Sequence, residues 1–185
     1  MTDLVIFGFL ALQASFIWAR YTRFRVRGAT PPGVRVVEWS TVACIALGVW
    51  LIAQREDGQA FAVGAAFVLV LGSAAMFAWA CRSVRPMQLA AAFTPDPPVE
   101  LVRDGAFRMV RNPFYLSYIL AHSVPLAASR SPWALVPLLW MTVLYHRAAR
   151  LEERRFLASP LAGEYLAYAR RTGRFLPRMA IGSRG

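Results

Sequence analysis

Arg108, Arg111, Asn112 and Tyr115 stand together in GAFRMVRNPFYLSYIL, residues 105–120, at the entrance to an apolar run. Arg150, Glu152 and Glu153 form a second polar group, and Tyr165, Tyr168 and Arg174 a third. Guanidinium and amide groups suit a carboxylate, and carboxylates suit an ammonium or hydroxyls. Aromatic faces suit a cation or a flat ring. Brought together, these residues would place cations, carboxylates and aromatic rings around one interfacial pocket.

Each group also has a plain structural role. Arginine beside a span anchors topology, and Arg108 fits that role. Asn112-Pro113 reads as a helix start, with Asn as cap and Pro in the first turn. Glu152 and Glu153 have Arg150, Arg154 and Arg155 within a helical turn. His122, inside an apolar segment, reads as a packed, hydrogen-bonded residue.

The elements that must position these groups are membrane helices. Of the 185 residues, 57% are hydrophobic, and the mean hydropathy is +0.43. Three long apolar segments come first, at 4–19, 36–53 and 61–80. About 20 residues at about 1.5 Å each cross a hydrocarbon core of about 30 Å. Two shorter segments follow, 115–128 and 133–145, joined by ASRSPW. That link reads as a turn, with Ser131 as cap and Pro132 in the first turn of the next helix. The pair is therefore a predicted helical hairpin.

All twenty-one basic residues are arginine, giving a net charge of +11. Their placement argues against nucleic acid. Nineteen flank one end of the predicted spans, and only Arg55 and Arg130 flank the other. This is the positive-inside pattern. It predicts five spans in a membrane such as the bacterial inner membrane, with the N-terminus outside and the C-terminus cytoplasmic. Residues 1–3 carry no basic cluster, so the first segment is expected to be a retained span. Cys44 and Cys81 lie in apolar segments, and neither a disulfide framework nor a metal site is expected.

The fifth segment has no stop signal at Tyr145. HRAARLEERRFLA continues it in good helix formers, so a helix from 132 to about 157 would be about 39 Å long. It must leave the membrane and carry Arg150, Glu152 and Glu153 with it. Ser159-Pro160 restarts a helix with Leu161, Tyr165 and Tyr168 on one face. That helix should lie on the membrane or fold back as a lid. Gly173 is the expected stop. The predicted fold is thus an all-α polytopic membrane protein, with spans in 1–80 and a functional core in 81–185. Because hairpin helices start and end on the same side, the polar groups should meet at one interfacial pocket.

LVRDGAFRMVRNPFYLSYIL resembles the first signature of the isoprenylcysteine carboxyl methyltransferase-like group of membrane methyltransferases, LVtsGpYryvRHPxYxGxxL. RLEERRFLASPLAGEYLAYARRTGRFLP resembles the second: a Glu-Glu pair, an aromatic-rich helix and a closing aromatic-x-Pro. The ordered pair covers about residues 100–177. The resemblance implies methyl transfer from S-adenosylmethionine, at the cytoplasmic face, to a lipophilic, lipid or prenylated acceptor. By motif position, Leu101, Val102 and Phe107 would line the cofactor pocket, with Arg111, Asn112 and Tyr115 at its polar end. Glu152 or Glu153 would hold the cofactor, Arg150 would face the acceptor, and Tyr165, Phe175 and Pro177 would close the pocket. Arg150 and Glu153 are the expected catalytic pair.

Three positions depart from the signature: Asn112 replaces His, Ser117 replaces Gly, and Phe107 replaces Tyr. An amide donates a hydrogen bond but cannot titrate. Two other readings stand beside this one. Membrane sterol reductases, which use NADPH, carry a similar Arg-His-Pro-x-Tyr signature on longer chains. A non-enzymatic membrane scaffold is the other.

Overall fold

A computed structural model of the protein describes residues 1–25, 30–54, 60–90, 93, 98 and 100–178. Arg27, Arg55, Arg184 and most of the FTPDPPVE loop fall outside these. Three helices are long and apolar enough to cross a membrane: α1 (Thr2–Thr22), α2 (Pro32–Ala53) and α3 (Ala60–Arg82). Each extends its apolar segment by a few flanking residues. A short helix, α4 (Ala106–Met109), precedes α5 (Pro113–Ser129). A 3₁₀ turn at Pro132–Ala134 leads into α6 (Leu135–Leu157), and α7 (Ala162–Arg171) follows.

The hairpin turns where the sequence places it. Arg130 takes a left-handed conformation (φ 53°) and closes α5 through its N–H to the Leu126 carbonyl. Pro132 sits in the first turn after Ser131, but the Ser131 side chain makes no capping bond. With 17 residues, α5 is shorter than the first three helices. It packs against α1, α2, α3 and α6, and most extensively against α3. The small, fully buried Ser73 and Ser117 sit at that contact, where the Ser73 hydroxyl donates to the Ser117 carbonyl at 2.8 Å.

The helices alternate in direction, so the core is layered. At one end, Val5 and Phe9 pack with Ile52, Ala66, Val124 and Ala128. At the other, Phe77, Cys81, Phe107 and Phe114 gather beneath the polar groups. Large apolar side chains, including all six tryptophans, remain exposed on the flanks. This is the surface of a protein solvated by lipid, with Trp18, Trp39 and Trp79 toward the polar end and Trp50 and Trp133 toward the other. The protein is an integral membrane protein.

Two small features escaped the sequence. β1 (Phe24–Arg25) and β2 (Leu89–Ala90) form a short parallel pair, Phe24 opposite Leu89. A second parallel bridge joins Val110 to Gly173. Both tie loops together at the polar end. Gly105 (φ +59°) is needed there: a side chain would strike Ser83, whose hydroxyl accepts the Ala106 N–H at 2.9 Å.

Candidate functional site

Glu153 is the hub of the polar end. Its Oε1 accepts from Arg111 Nη2 at 3.1 Å and from Arg174 Nε at 2.8 Å, and its Oε2 accepts from Arg174 Nη2 at 2.6 Å. All three side chains are largely withdrawn from solvent. Arg111 Nη1 also donates to the carbonyls of Ala169 (3.0 Å) and Thr172. Arg174 Nη1 donates to His146 Nε2 at 3.2 Å. The triad thus joins the start of α5, the end of α6 and the segment after α7.

Backbone bonds reinforce it. Arg111 N–H donates to the Gly173 carbonyl at 2.8 Å, and Asn112 N–H to the Arg174 carbonyl at 3.2 Å. Asn112 does occupy the cap position of α5, but its side chain does not cap the helix. The amide Nδ2 reaches instead to the Arg174 carbonyl at 3.3 Å. The tail lies directly over the helix start and accepts this donor. The helix α7 folds back as a lid: Tyr168 hydroxyl donates to the Phe107 carbonyl at 2.6 Å, and Tyr165 stacks on Phe156 at 4.9 Å.

Under this lid lies a cavity of about 110 Å³. Of the residues expected from the motifs, Leu101, Val102, Phe107, Arg111, Asn112, Tyr115, Glu152, Glu153 and Tyr165 all reach it. Three do not. Arg150 lies on the exposed face of α6, Pro177 is exposed, and Phe175 packs beside His146 and the Tyr145 layer. His122 is buried outside the cavity, with Nε2 at 3.4 Å from Tyr145 Oη. Arg108 is exposed.

The cavity wall also holds residues outside the expected set. Phe24, from β1, and Phe156 bring aromatic faces; Gln88 and Glu100, bonded at 2.9 Å, bring polar atoms. Phe24 and Gln88 sit far from either motif in sequence, and only the strand pair delivers them. Phe156, within the second signature, carried the signal of an aromatic one turn after the Glu pair.

The two glutamates differ in environment. Burial pushes the Glu153 carboxyl up, but the Arg174 hydrogen bond and the charges of Arg111 and Arg174 outweigh it and hold it below the usual carboxylate range. Burial pushes Glu152 up, and the Tyr115 hydroxyl it accepts and the Arg155 charge only partly offset this. Burial also raises Tyr165 and Tyr168, so both phenols stay neutral at physiological pH.

The depressed Glu153 value gives a pH dependence. A carboxylate whose folded pKa lies below its unfolded value, about 4.3, stabilises the fold above that value. The contribution is lost as pH falls through the folded pKa. The melting-temperature gap between wild type and Glu153→Gln is expected to be constant above about pH 5 and to close below about pH 4. Thermal unfolding in detergent across that range checks it.

A second cavity, of about 650 Å³, lies between α1, α2, α5 and α6. It is apolar over most of its wall and shares Phe24 and Tyr115 with the first. Both walls are mostly apolar: the smaller cavity adds Arg111, Glu152 and Glu153, the larger adds Arg20, Arg35 and Glu38, and Tyr115 stands between them.

The family described as phospholipid methyltransferase matches residues 59–162, from the start of α3 to the first residue of α7. No curated protein matches the chain.

Proposed function

The chain belongs to the phospholipid methyltransferase family and is a membrane methyltransferase, and from that premise we propose that S-adenosylmethionine is its methyl donor and a lipophilic molecule its acceptor. The observation that carries this reading is the pair of adjoining cavities. A charged, water-soluble donor suits the small cavity beneath α7. An acceptor with an apolar tail suits the larger one, and both reach Tyr115.

The donor set fits the cofactor. Glu152 and Glu100 offer carboxylates to an ammonium or to ribose hydroxyls, and Phe24, Phe107 and Tyr165 offer faces to a sulfonium and an adenine. Leu101 and Val102 supply apolar wall. The bound cofactor supplies an electrophilic methyl on a good leaving group, so alignment and water exclusion matter more than a protein nucleophile. The cavity is smaller than the roughly 300 Å³ at which small-molecule sites begin. The lid of α7 and residues 172–175 must therefore open for loading and close over the bound molecule.

The arginines act on the lid. Arg111 and Arg174, both committed to Glu153, hold the tail down and exclude water; Asn112 does the same through its amide. This role needs a donor and not a titrating group, so Asn serves where the signature has His. Glu152 is placed for chemistry. Its raised carboxyl pKa makes it a better proton acceptor than an ordinary glutamate, and it lies at the tyrosine between the compartments. An ammonium acceptor would give its proton to Glu152, while a carboxylate acceptor would need only orientation. The arginine asymmetry puts the polar end, and so this chemistry, on the cytoplasmic face, with α5 and α6 completing five spans.

Binding of labelled S-adenosylmethionine to the purified protein tests the proposal. Glu152→Gln is expected to weaken it about tenfold, the loss of a charge-assisted hydrogen bond. Absence of binding, with a melting temperature raised by NADPH instead, would favour the reductase reading. No response to either would favour a scaffold.

A further inference from the structure

Gln13 has no structural explanation. It sits mid-way along α1, in an apolar span, 3% exposed, and its amide nitrogen is buried without a hydrogen-bond partner. A polar group left unsatisfied inside a membrane is costly and marks a functional position. Its side chain lines the larger cavity, whose volume of about 650 Å³ is of ligand size.

We propose, building on the methyltransferase reading above, that Gln13 determines acceptor specificity by donating its amide N–H to an ester carbonyl of a diacyl phospholipid held in this cavity. Rotation of the terminal amide turns the unpaired donor toward that oxygen.

Three observations point to this occupant. The first is depth. Phe16 and Tyr118 meet ring to ring at 4.5 Å, which sets α1 and α5 at a common level. Gln13 lies three residues from that level on one side and Tyr115 three on the other, because the helices run in opposite directions. At about 1.5 Å per residue, Gln13 is about 9 Å deeper than the tyrosine between the compartments. That matches the span from a phospholipid headgroup's terminal atom to its ester carbonyls. A prenyl tail has only hydrocarbon at this depth and would leave the amide unpaired.

The second is charge. Arg20, Arg35 and Glu38 line the cavity at its polar end, with Arg20 Nε and Glu38 Oε1 at 3.7 Å. Among the described residues, two guanidiniums against one carboxylate leave a positive excess where a phosphate would lie. The third is chain position. Much of the cavity wall, from Gln13 to Ile45, precedes the family match that begins at residue 59. Acceptor choice is thus written in a part of the chain that the family pattern does not describe.

The test uses dioleoyl phosphatidylethanolamine and its ether-linked dialkyl counterpart, alike in headgroup and chain length. Affinity is measured on the purified, full-length protein by native mass spectrometry. Wild type is expected to bind the diacyl lipid about tenfold more tightly, the range of one buried hydrogen bond. Gln13→Met, close in volume, is expected to bind both alike and to melt no lower than wild type, since it removes an unpaired polar group. Equal binding by wild type, a diacyl preference that survives in Gln13→Met, or no binding of either lipid would each overturn the proposal. S-adenosylmethionine binding is read separately on the same samples. Its absence beside an intact, Gln13-dependent preference would overturn the methyltransferase donor and leave the lipid site standing.

Discussion

Glu153→Ala is expected to abolish detectable S-adenosylmethionine binding and to cost about 3 kcal/mol of stability, the loss seen when one member of a largely buried ion pair is removed. The size follows from what is left behind. Arg111 and Arg174 would face each other with no anion between them, and both are largely withdrawn from solvent. Arg111 would keep its carbonyl partners on Ala169 and Thr172, but its own link to α6 would be gone. Repulsion between the guanidiniums would then push the tail away from the cavity. Thermal unfolding in detergent and labelled-cofactor binding measure the two halves of the effect. A variant that melts and binds like wild type would remove the triad from the mechanism.

Gly173→Ala should produce the second largest effect, through backbone geometry alone. A side-chain carbon at this position would collide with the Leu176 carbonyl oxygen and stand 3.1 Å from its carbon. Backbone atoms do not swing aside as a flexible side chain does, so the turn at 173–176 must rearrange. The Gly173 and Arg174 carbonyls that receive Arg111 and Asn112 N–H would move with it. Overpacking of this kind costs about 1–3 kcal/mol, here concentrated on lid closure. Cofactor affinity should fall at least about tenfold, and trypsin should cut at Arg170 and Arg171 several times faster. Unchanged proteolysis and affinity would show that the lid does not depend on this turn.

Tests at Glu153 and Gly173 probe residues that were legible to different degrees. The helices were plain in the sequence because a span needs about 20 apolar residues whatever it packs against. Pro132 and Gly173 marked turns through local backbone chemistry. Leu101, Phe107, Arg111 and Tyr115 were found because a short motif keeps them close in sequence. Arg150 was not brought to the cavity: helical rotation carries successive residues about 100° apart, and a motif does not say which face turns inward. Phe24 and Gln88 were invisible for the opposite reason, since Phe24 lies in, and Gln88 directly before, a two-residue strand pairing distant loops.

The sequence by itself determined that this is a helical membrane protein with an arginine-rich polar end, and that two ordered motifs converge there. Those are properties of hydrophobic length, charge asymmetry and local pattern, which need no partner to be read. Tertiary structure alone decided what the charges do. It committed both oxygens of Glu153 to Arg111 and Arg174, left Glu152 with Tyr115, and set a larger chamber beside the smaller one. Hydrogen bonds between residues tens of positions apart depend on how helices rotate and dock, and that is settled only when the whole bundle closes.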